Sequence, residues 1–484
     1  MNNITLHIYN SLTFQKEEFQ PINPQEVLMY VCGPTVYDSP HLGHAKSAVV
    51  FDLVQRYLKY KGFGLKVVKN YTDIDDKIIQ RANERKIEFS ALTNQYIEEY
   101  ETIMDILNVQ KEDINPRATE VVGFIIRLIQ ELIRKEHAYE ENGSVYFSVK
   151  SFPKYKEIFQ NKKPKNEEEE DEEDLQHEQD ESFENDKRDK RDFALWRAWK
   201  EGEPFWESPW GRGRPGWHIE CSAMVINYLG ETIDIHGGGQ DLKFPHHRNE
   251  LVQAEAFTGK QFANYFMHNG FVNINDEKMS KSLGNFFLVS DVMKEFDPMV
   301  VRFFLLTSHY RKSINYSQKT MTSARKNYDK IINTIRNVIE LVPVVNGNED
   351  SETFIQKISY TKSRILEALD DDFNTPLAFA EISSFIREVN RRIIEGKSDI
   401  SDKFKEEFLK FFKSMNDIFG IFPNLETMIK GNITGSSDDK DRIIKNLLDI
   451  LESARMKLRE RKMFDISDEI RERLNEMGIK LEDK

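Results

Sequence analysis

One stretch near the start constrains the architecture more than any other. Glu26 to Val31 (EVLMYV) is a short run of strand-forming residues, and a loop with Gly33, Pro34, Ser39 and Pro40 follows it. From Gly43 to about Lys59 the apolar residues Val49, Val50, Leu53, Val54, Tyr57 and Leu58 fall at helical spacing. Gly62 and Gly64 end that helix, and Leu65 to Val68 returns as a second strand. Strand, helix and strand with a crossover of this length make a βαβ unit, which predicts a parallel sheet. Open sheets of this kind bind nucleotides outside the carboxyl ends of their strands.

The rest of the chain divides in two. Ile74 onward has a helical pattern, Val121 to Lys135 is a strongly apolar helix, and Val145 to Val149 is a strand. An aromatic stretch runs from Phe193 to Trp217, and a short strand from Ile233 to His236 ends in Gly237, Gly238 and Gly239. From Ser317 to the end the pattern is almost wholly helical, broken by a linker at Gly431 to Asp439 (GNITGSSDD). An α/β half is therefore followed by an all-α half, suited to a second, larger partner. Asn166 to Asp186 is dominated by acidic residues, with an unbroken run from Glu167 to Asp174, and cannot bury a core; a solvated insertion is expected. The formal charge of -14 argues against wholesale coating of nucleic acid but leaves room for a local basic face. Arg455, Lys457, Arg459, Arg461 and Lys462 form such a cluster, readable as phosphate contacts or as a solvated helix face. With no run of about 18 apolar residues and no signal-peptide stretch in Met1 to Gln20, a cytoplasmic protein without a membrane partner is expected.

Three sets of residues carry chemistry. His41-Leu42-Gly43-His44 stands where the first loop enters the helix, whose free N–H groups and partial positive charge suit phosphate. Two imidazoles there can donate to phosphate oxygens, and Gly43 leaves room for a purine ring. Lys278-Met279-Ser280-Lys281-Ser282, followed by Leu283-Gly284-Asn285, places two lysines on a loop able to close over a triphosphate. The third set is Cys32, Cys221, His246 and Glu250. The two cysteines are the only ones in the chain, and a reducing compartment favours a metal or catalytic role over a bridge. His246 and Glu250 lie four apart just after Pro245, a favoured first helical residue, so both fall on one helical face. Thiolate, imidazole and carboxylate are zinc ligands. His247, three before Glu250, competes with His246 for the place, and spacing alone does not bring Cys32 to Cys221.

Longer stretches resemble the cysteinyl-tRNA synthetases. They are YVCGPTVYD from Tyr30 to Asp38 running on to His44, TDIDDKIIQRANE from Thr72 to Glu84, and SPWGRGRPGWHIECSAM from Ser208 to Met224. HGGGQDLKFPHHRNE from His236 to Glu250, Met267-His268 ahead of KMSKSLGN, DDDFNTP from Asp370 to Pro376 and GIKLED from Gly478 to Asp483 complete the likeness, which spans nearly the whole chain. The resemblance implies a Rossmann-type catalytic domain over 1–260, with a connective segment inserted at about 115–205 and the acidic loop 166–186 inside it. It further implies a KMSKS-loop and stem-contact region over 261–316, a helical bundle over 317–430, and a linker with anticodon-binding helices over 431–484.

The implied activity is ATP-dependent ligation of L-cysteine to tRNA(Cys) through cysteinyl-adenylate. By resemblance, one zinc per chain is held by Cys32, Cys221, His246 and Glu250. His41, His44, Lys278 and Lys281 serve catalysis, and Pro34, Gly43, His44, Gly238, Asp241 and Lys281 meet ATP or the adenylate. Thr72, Trp217, His236 and His268 line the cysteine pocket, magnesium accompanies ATP, and a monomer is expected. Arg248, beside the metal-binding segment, departs from the acidic or small residue of many relatives and is expected to alter pocket charge. The chain also stops at Lys484, short of the tail of many relatives. A related ligase joining cysteine to an amino sugar shares the zinc and ATP motifs but lacks the long helical end seen here from Ser317 to Lys484.

Overall fold

The structure, a computed structural model, describes residues 5–160, 186–275, 277–278, 286–341, 349–394 and 401–429. One compact unit spans Met1–Pro423 and a second spans Asn424–Lys484, within which the described part is Asn424 and the short helix Leu425–Ile429. The acidic stretch, the basic cluster Arg455 to Lys462 and the linker at Gly431 lie outside the described residues.

The first unit opens on a hairpin of β1 (His7–Asn10) and β2 (Gln15–Glu18). The expected βαβ unit follows as β3 (Val27–Val31), the helix Leu42–Tyr60 and β4 (Leu65–Lys69), with β3 and β4 parallel. The six apolar helix positions named from the sequence are all buried. So are Lys46 and Asp52 on the same helix, because it lies between the sheet and the helices Pro298–Leu306 and Asp402–Phe419.

The chain then leaves the sheet. Helices Asp76–Arg85, Phe89–Ile106 and Val122–Arg134 lead to an antiparallel sheet of β5 (Ala138–Glu141), β6 (Ser144–Phe147), β7 (Phe193–Ala198) and β8 (Gly213–Pro215). The helix Trp217–Tyr228 returns it to β9 (Ile233–Gly239), the helix Arg248–Thr258 and β10 (Ala263–Asn269), a second βαβ unit. The parallel order is β10-β9-β3-β4, so β3 and β9 are the two central strands. A small sheet of β11 (Val272–Ile274), β12 (Glu277–Lys278) and β13 (Ile314–Tyr316) lies beyond β10 in the chain. Helices Gln318–Glu340, Glu349–Asp370, Thr375–Ile394 and Asp402–Phe419 form the helical half. Among the described residues no helix is long and apolar enough to cross a membrane.

Two local expectations change. β9 does not stop at His236; Gly237, Gly238 and Gly239 continue it, pairing with Met267, His268 and Asn269 of β10. The glycines are there for room. A Cβ on Gly237 would lie 2.5 Å from Cζ of Phe51, and one on Gly238 would lie 2.8 Å from Cε1 of His247. The second change is at Pro245, where no regular helix begins. Lys243–His247 form an irregular turn with Phe244 extended, and the helix starts at Arg248. His246 and His247 still approach the helix with helical backbone, so the four-residue relation of His246 to Glu250 survives.

Gly237→Ala overpacks the sheet against Phe51 and is expected to lower stability by about 1–3 kcal/mol, read as a fall in the denaturant midpoint at constant slope.

Candidate functional site

The carboxyl ends of β3 and β9 meet at a cavity of about 450 Å³. Its wall includes Cys32, Pro34, His41, Gly43, His44, Thr72, Trp217, Cys221, Asp241 and His246, so most residues singled out in the sequence share one space. Gly238, His236, His268 and Glu250 do not border it; they lie outside the lining, and His236, His268 and Glu250 are buried. Lys278 ends β12, and Lys281 lies outside the described residues.

The donors converge from four segments. Cys32 follows β3 directly, and its N–H donates to Gly237 O of β9 at 2.9 Å. Cys221 stands on the helix Trp217–Tyr228, which Ser222 ties to the next helix by donating to Glu250 O at 3.1 Å. The two sulfurs are 3.9 Å apart, Cys32 Sγ is 3.5 Å from Glu250 Oε1, and His246 Nε2 is 3.0 Å from the same oxygen. Trp217 stacks on the His246 ring at 4.3 Å, and His218 Nδ1 lies 2.9 Å from His246 Nδ1. A ring held at Nδ1 turns Nε2 toward the cluster, a usual arrangement behind a metal-ligating histidine.

Two sets of ligand atoms lie within 4.8 Å of one another and share Cys32 and Glu250. One adds Cys221 and His246, and the other adds His236 and His247. Both of the sequence's competing histidines are therefore close, although His247 Nε2 is 3.9 Å from Glu250 Oε1 and its Nδ1 lies 2.8 Å from His268 Nε2.

The four donors set one another's charge against the cost of burial. Burial alone would raise the Glu250 carboxyl, but His236 and His246 hold it well below the usual range. The Cys221 thiol is drawn down to about 6, chiefly by its hydrogen bond with Cys32 and against burial. Cys32 is pushed up by burial and then by Cys221. Burial pulls His246 down, but Glu250 and Cys221 overcome it and carry the ring to about 10.

At the other end of the cavity the histidine pair departs from expectation. The N–H groups of the first helical turn are not all left open. His41 is the cap, and its Nδ1 accepts from Gly43 N at 3.1 Å and His44 N at 3.4 Å. His44 Nδ1 reaches back to His41 N at 3.4 Å, and the rings stack at 3.7 Å. The amides of Gly43 and His44 are thus engaged by His41 rather than left open to a phosphate.

Other lining residues were missed. Lys69, Lys77 and Tyr100 form a further wall. Lys69 is buried, pairs with Glu112 at 3.3 Å and lies 5.1 Å from the Tyr100 ring centre. A charged residue closing an apolar strand at its carboxyl end was the available signal. Arg248, expected to alter the pocket's charge, is not in the wall; its guanidinium lies over Phe244 at 4.3 Å and Tyr155 at 5.3 Å.

Comparisons with known proteins place the chain in a family. The family described as tRNA synthetases class I (C) catalytic domain matches residues 18–326, and a DALR domain matches residues 364–423. The chain is 43% identical over 492 residues to a protein of Sulfurihydrogenibium named cysteine--tRNA ligase, covering 99% of this chain and 98% of that one. Proteins of the same name from Bacillus cereus and Persephonella marina are each 42% identical with the same coverage. In fold, the chain is similar to a Mycobacterium tuberculosis methionyl-tRNA synthetase (TM-score 0.60, 14% identity, 84% of this chain and 91% of that one). It is also similar to an Agrobacterium radiobacter LeuRS (TM-score 0.62, 11% identity, 85% and 86%).

Burial lowers His268 from 6.5 to about 3. Between these values the unfolded chain binds the extra proton, so this residue's contribution to stability is present above pH 6.5 and is lost as pH falls toward 3. His268→Gln is expected to flatten that part of the stability–pH curve, measured as denaturant midpoints at several pH values across the window.

Proposed function

This chain belongs to the cysteine--tRNA ligases, class I aminoacyl-tRNA synthetases, and from that premise we propose the residues by which it joins L-cysteine to tRNA(Cys) at the expense of ATP. The observation that carries the reading is one cavity bordered at one end by Cys32, Cys221 and His246 and at the other by His41 and His44. A thiol-recognising centre and a phosphate-recognising pair thus face the same space.

The donor set fits zinc. A tetrahedral ion with bonds of about 2.3 Å to sulfur separates two thiolates by about 3.8 Å, and the sulfurs here are 3.9 Å apart. We assign Cys32, Cys221, His246 and Glu250 as the ligands rather than the set with His236 and His247. The first set has three members on the cavity wall, where a substrate thiol can reach the metal, whereas neither His236 nor His247 borders it. Zinc held there lowers the pKa of a thiol and prefers thiolate to a neutral hydroxyl, which separates cysteine from serine where shape alone would yield only about 1–3 kcal/mol.

The chemistry has two steps. The cysteine carboxylate attacks the α-phosphate of ATP, and pyrophosphate leaves. The terminal ribose hydroxyl of the tRNA then attacks the adenylate carbonyl, and AMP leaves. Neither step needs a covalent enzyme intermediate, so orientation and charge stabilisation carry the rate. His41 and His44 present ring N–H groups to phosphate oxygens, beside Pro34, Gly43 and Asp241. Lys278 and Lys281 supply positive charge to the triphosphate, with magnesium accompanying ATP. Trp217 closes the cysteine end over His246, Thr72 borders the same wall, and His236 and His268 back it. Gly238 keeps the strand free of a side chain that would displace His247. Residues 317–430 serve as the helical bundle and 431–484 as the anticodon-binding end, acting as a monomer in the cytoplasm.

Purified protein is expected to transfer labelled cysteine to tRNA(Cys), and a zinc chelator to abolish the transfer. Charging at an undiminished rate after complete metal removal would defeat the assignment. Cys221→Ser is expected to weaken zinc binding at least about tenfold and to erode the preference for cysteine over serine in ATP–pyrophosphate exchange. His247→Asn should retain the metal. The reverse pattern of zinc contents would move the site to the other donor set.

A further inference from the structure

Lys46 stands two residues after His44 on the helix Leu42–Tyr60, and its side chain is 0% exposed. An ammonium group taken out of water needs a counter-charge or dense hydrogen bonding. Its acceptors among the described residues are two main-chain carbonyls, Phe271 O at 3.2 Å and Lys312 O at 2.6 Å. Burial takes the group down to about 7, with no acidic neighbour among the described residues offsetting it. A methionine of similar length would fill the space without that desolvation. The ammonium is therefore useful for what it holds.

The two carbonyls belong to different segments that meet at one joint. Phe271 O also accepts from Ile314 N at 2.9 Å, and Gly270 N donates to Tyr310 O at 2.8 Å. The packing is close enough that a Cβ on Gly270 would lie 2.5 Å from Lys312 C. Phe271 leads into β11 and Lys312 comes just before β13, the two parallel strands of the small sheet. β12 of that sheet ends at Lys278, where the K-M-S-K-S stretch begins. Gly270, Phe271 and Val272 also border the cavity, whereas Lys46 does not.

We propose that Lys46 is a positioning residue for the nucleotide. By holding the Phe271 and Lys312 carbonyls against the helix that begins at His41, it fixes the spacing between the His41–His44 pair and the wall segment Gly270–Val272. It acts through the cavity wall and does not touch ATP. The inference rests on the ATP-dependent reading of this site.

The test compares wild-type and Lys46→Met chains at full length. Cysteine-dependent ATP–pyrophosphate exchange, ATP binding by equilibrium dialysis and bound zinc by elemental analysis are measured on each. Lys46→Met is expected to raise the KM and Kd for ATP about tenfold, the loss of a hydrogen bond from a charged donor. The KM for cysteine and the zinc content should stay within about twofold. Gly270→Ala wedges the same joint from the other side and should reproduce the ATP defect where Lys46→Met does not fold. Unchanged ATP affinity in the folded variant overturns the proposal. So do equal losses of ATP, cysteine and zinc, or failure of both variants to fold, which mark Lys46 as structural only. Wild-type protein that binds ATP but shows no cysteine-dependent exchange would sink the substrate reading, and dialysis would still decide the role of Lys46. Wild-type protein that binds no ATP would overturn both.

Discussion

The pairing of β3 with β9 is the constraint on which the site depends. Tyr30 lies opposite His236 and Val31 opposite Gly237, with the strands parallel. This register places Cys32 on the Gly237 carbonyl, one residue past the strand end, and so beside segments some two hundred residues further on. A slip of one residue would turn Cys32 to the other face of the sheet. Register is held by burial on both faces and by a glycine strip through which Phe51 and His247 press against the backbone. Only Gly239, the last glycine of the strip, borders the cavity.

Buried charge ties the helical half to this sheet. Arg302 is wholly buried; its guanidinium pairs with Asp52 on the helix Leu42–Tyr60 and donates to Phe419 O at 2.8 Å and to Leu107 O and Asn108 O at 3.0 Å. Asp372 plays the converse part with a carboxylate. It accepts from Tyr9 N at 2.9 Å, Tyr310 OH at 2.7 Å and Arg311 Nε at 2.7 Å, joining the N-terminal hairpin, the segment before β13 and the helical half. Such groups add little net stability against apolar replacements, but removing one partner leaves the other buried and unpaired. They specify which surfaces meet.

The elements legible in the sequence were those with a single strong period. The first βαβ unit appears within a residue or two of its expected limits, because its apolar spacing and terminal glycines point the same way. The glycine run after His236 was read as a strand end, since glycine is a poor strand former when neighbours are ignored; here tertiary crowding by Phe51 and His247 demands it. Pro245 suggested a helix start, but the backbone stays irregular to His247 while His246 reaches its partner. The meeting of Cys32 with Cys221 could not be read from spacing at all and came through resemblance to known sequences. Lys46 was invisible for a related reason: nothing local marks a charged residue in mid-helix for burial, and only the assembled fold supplies the carbonyls it meets.

The separation of 189 positions from Cys32 to Cys221 also sets an order in time. On a ribosome adding about 5–20 residues per second, Cys32 emerges roughly 10–40 s before its partner thiol. During that interval β3, the following helix and β4 can assemble as a local unit, but β3 keeps one edge unpaired until β9 arrives. The nascent chain therefore carries an open strand edge and a solitary thiol side by side, and the last central strand to be made closes both at once.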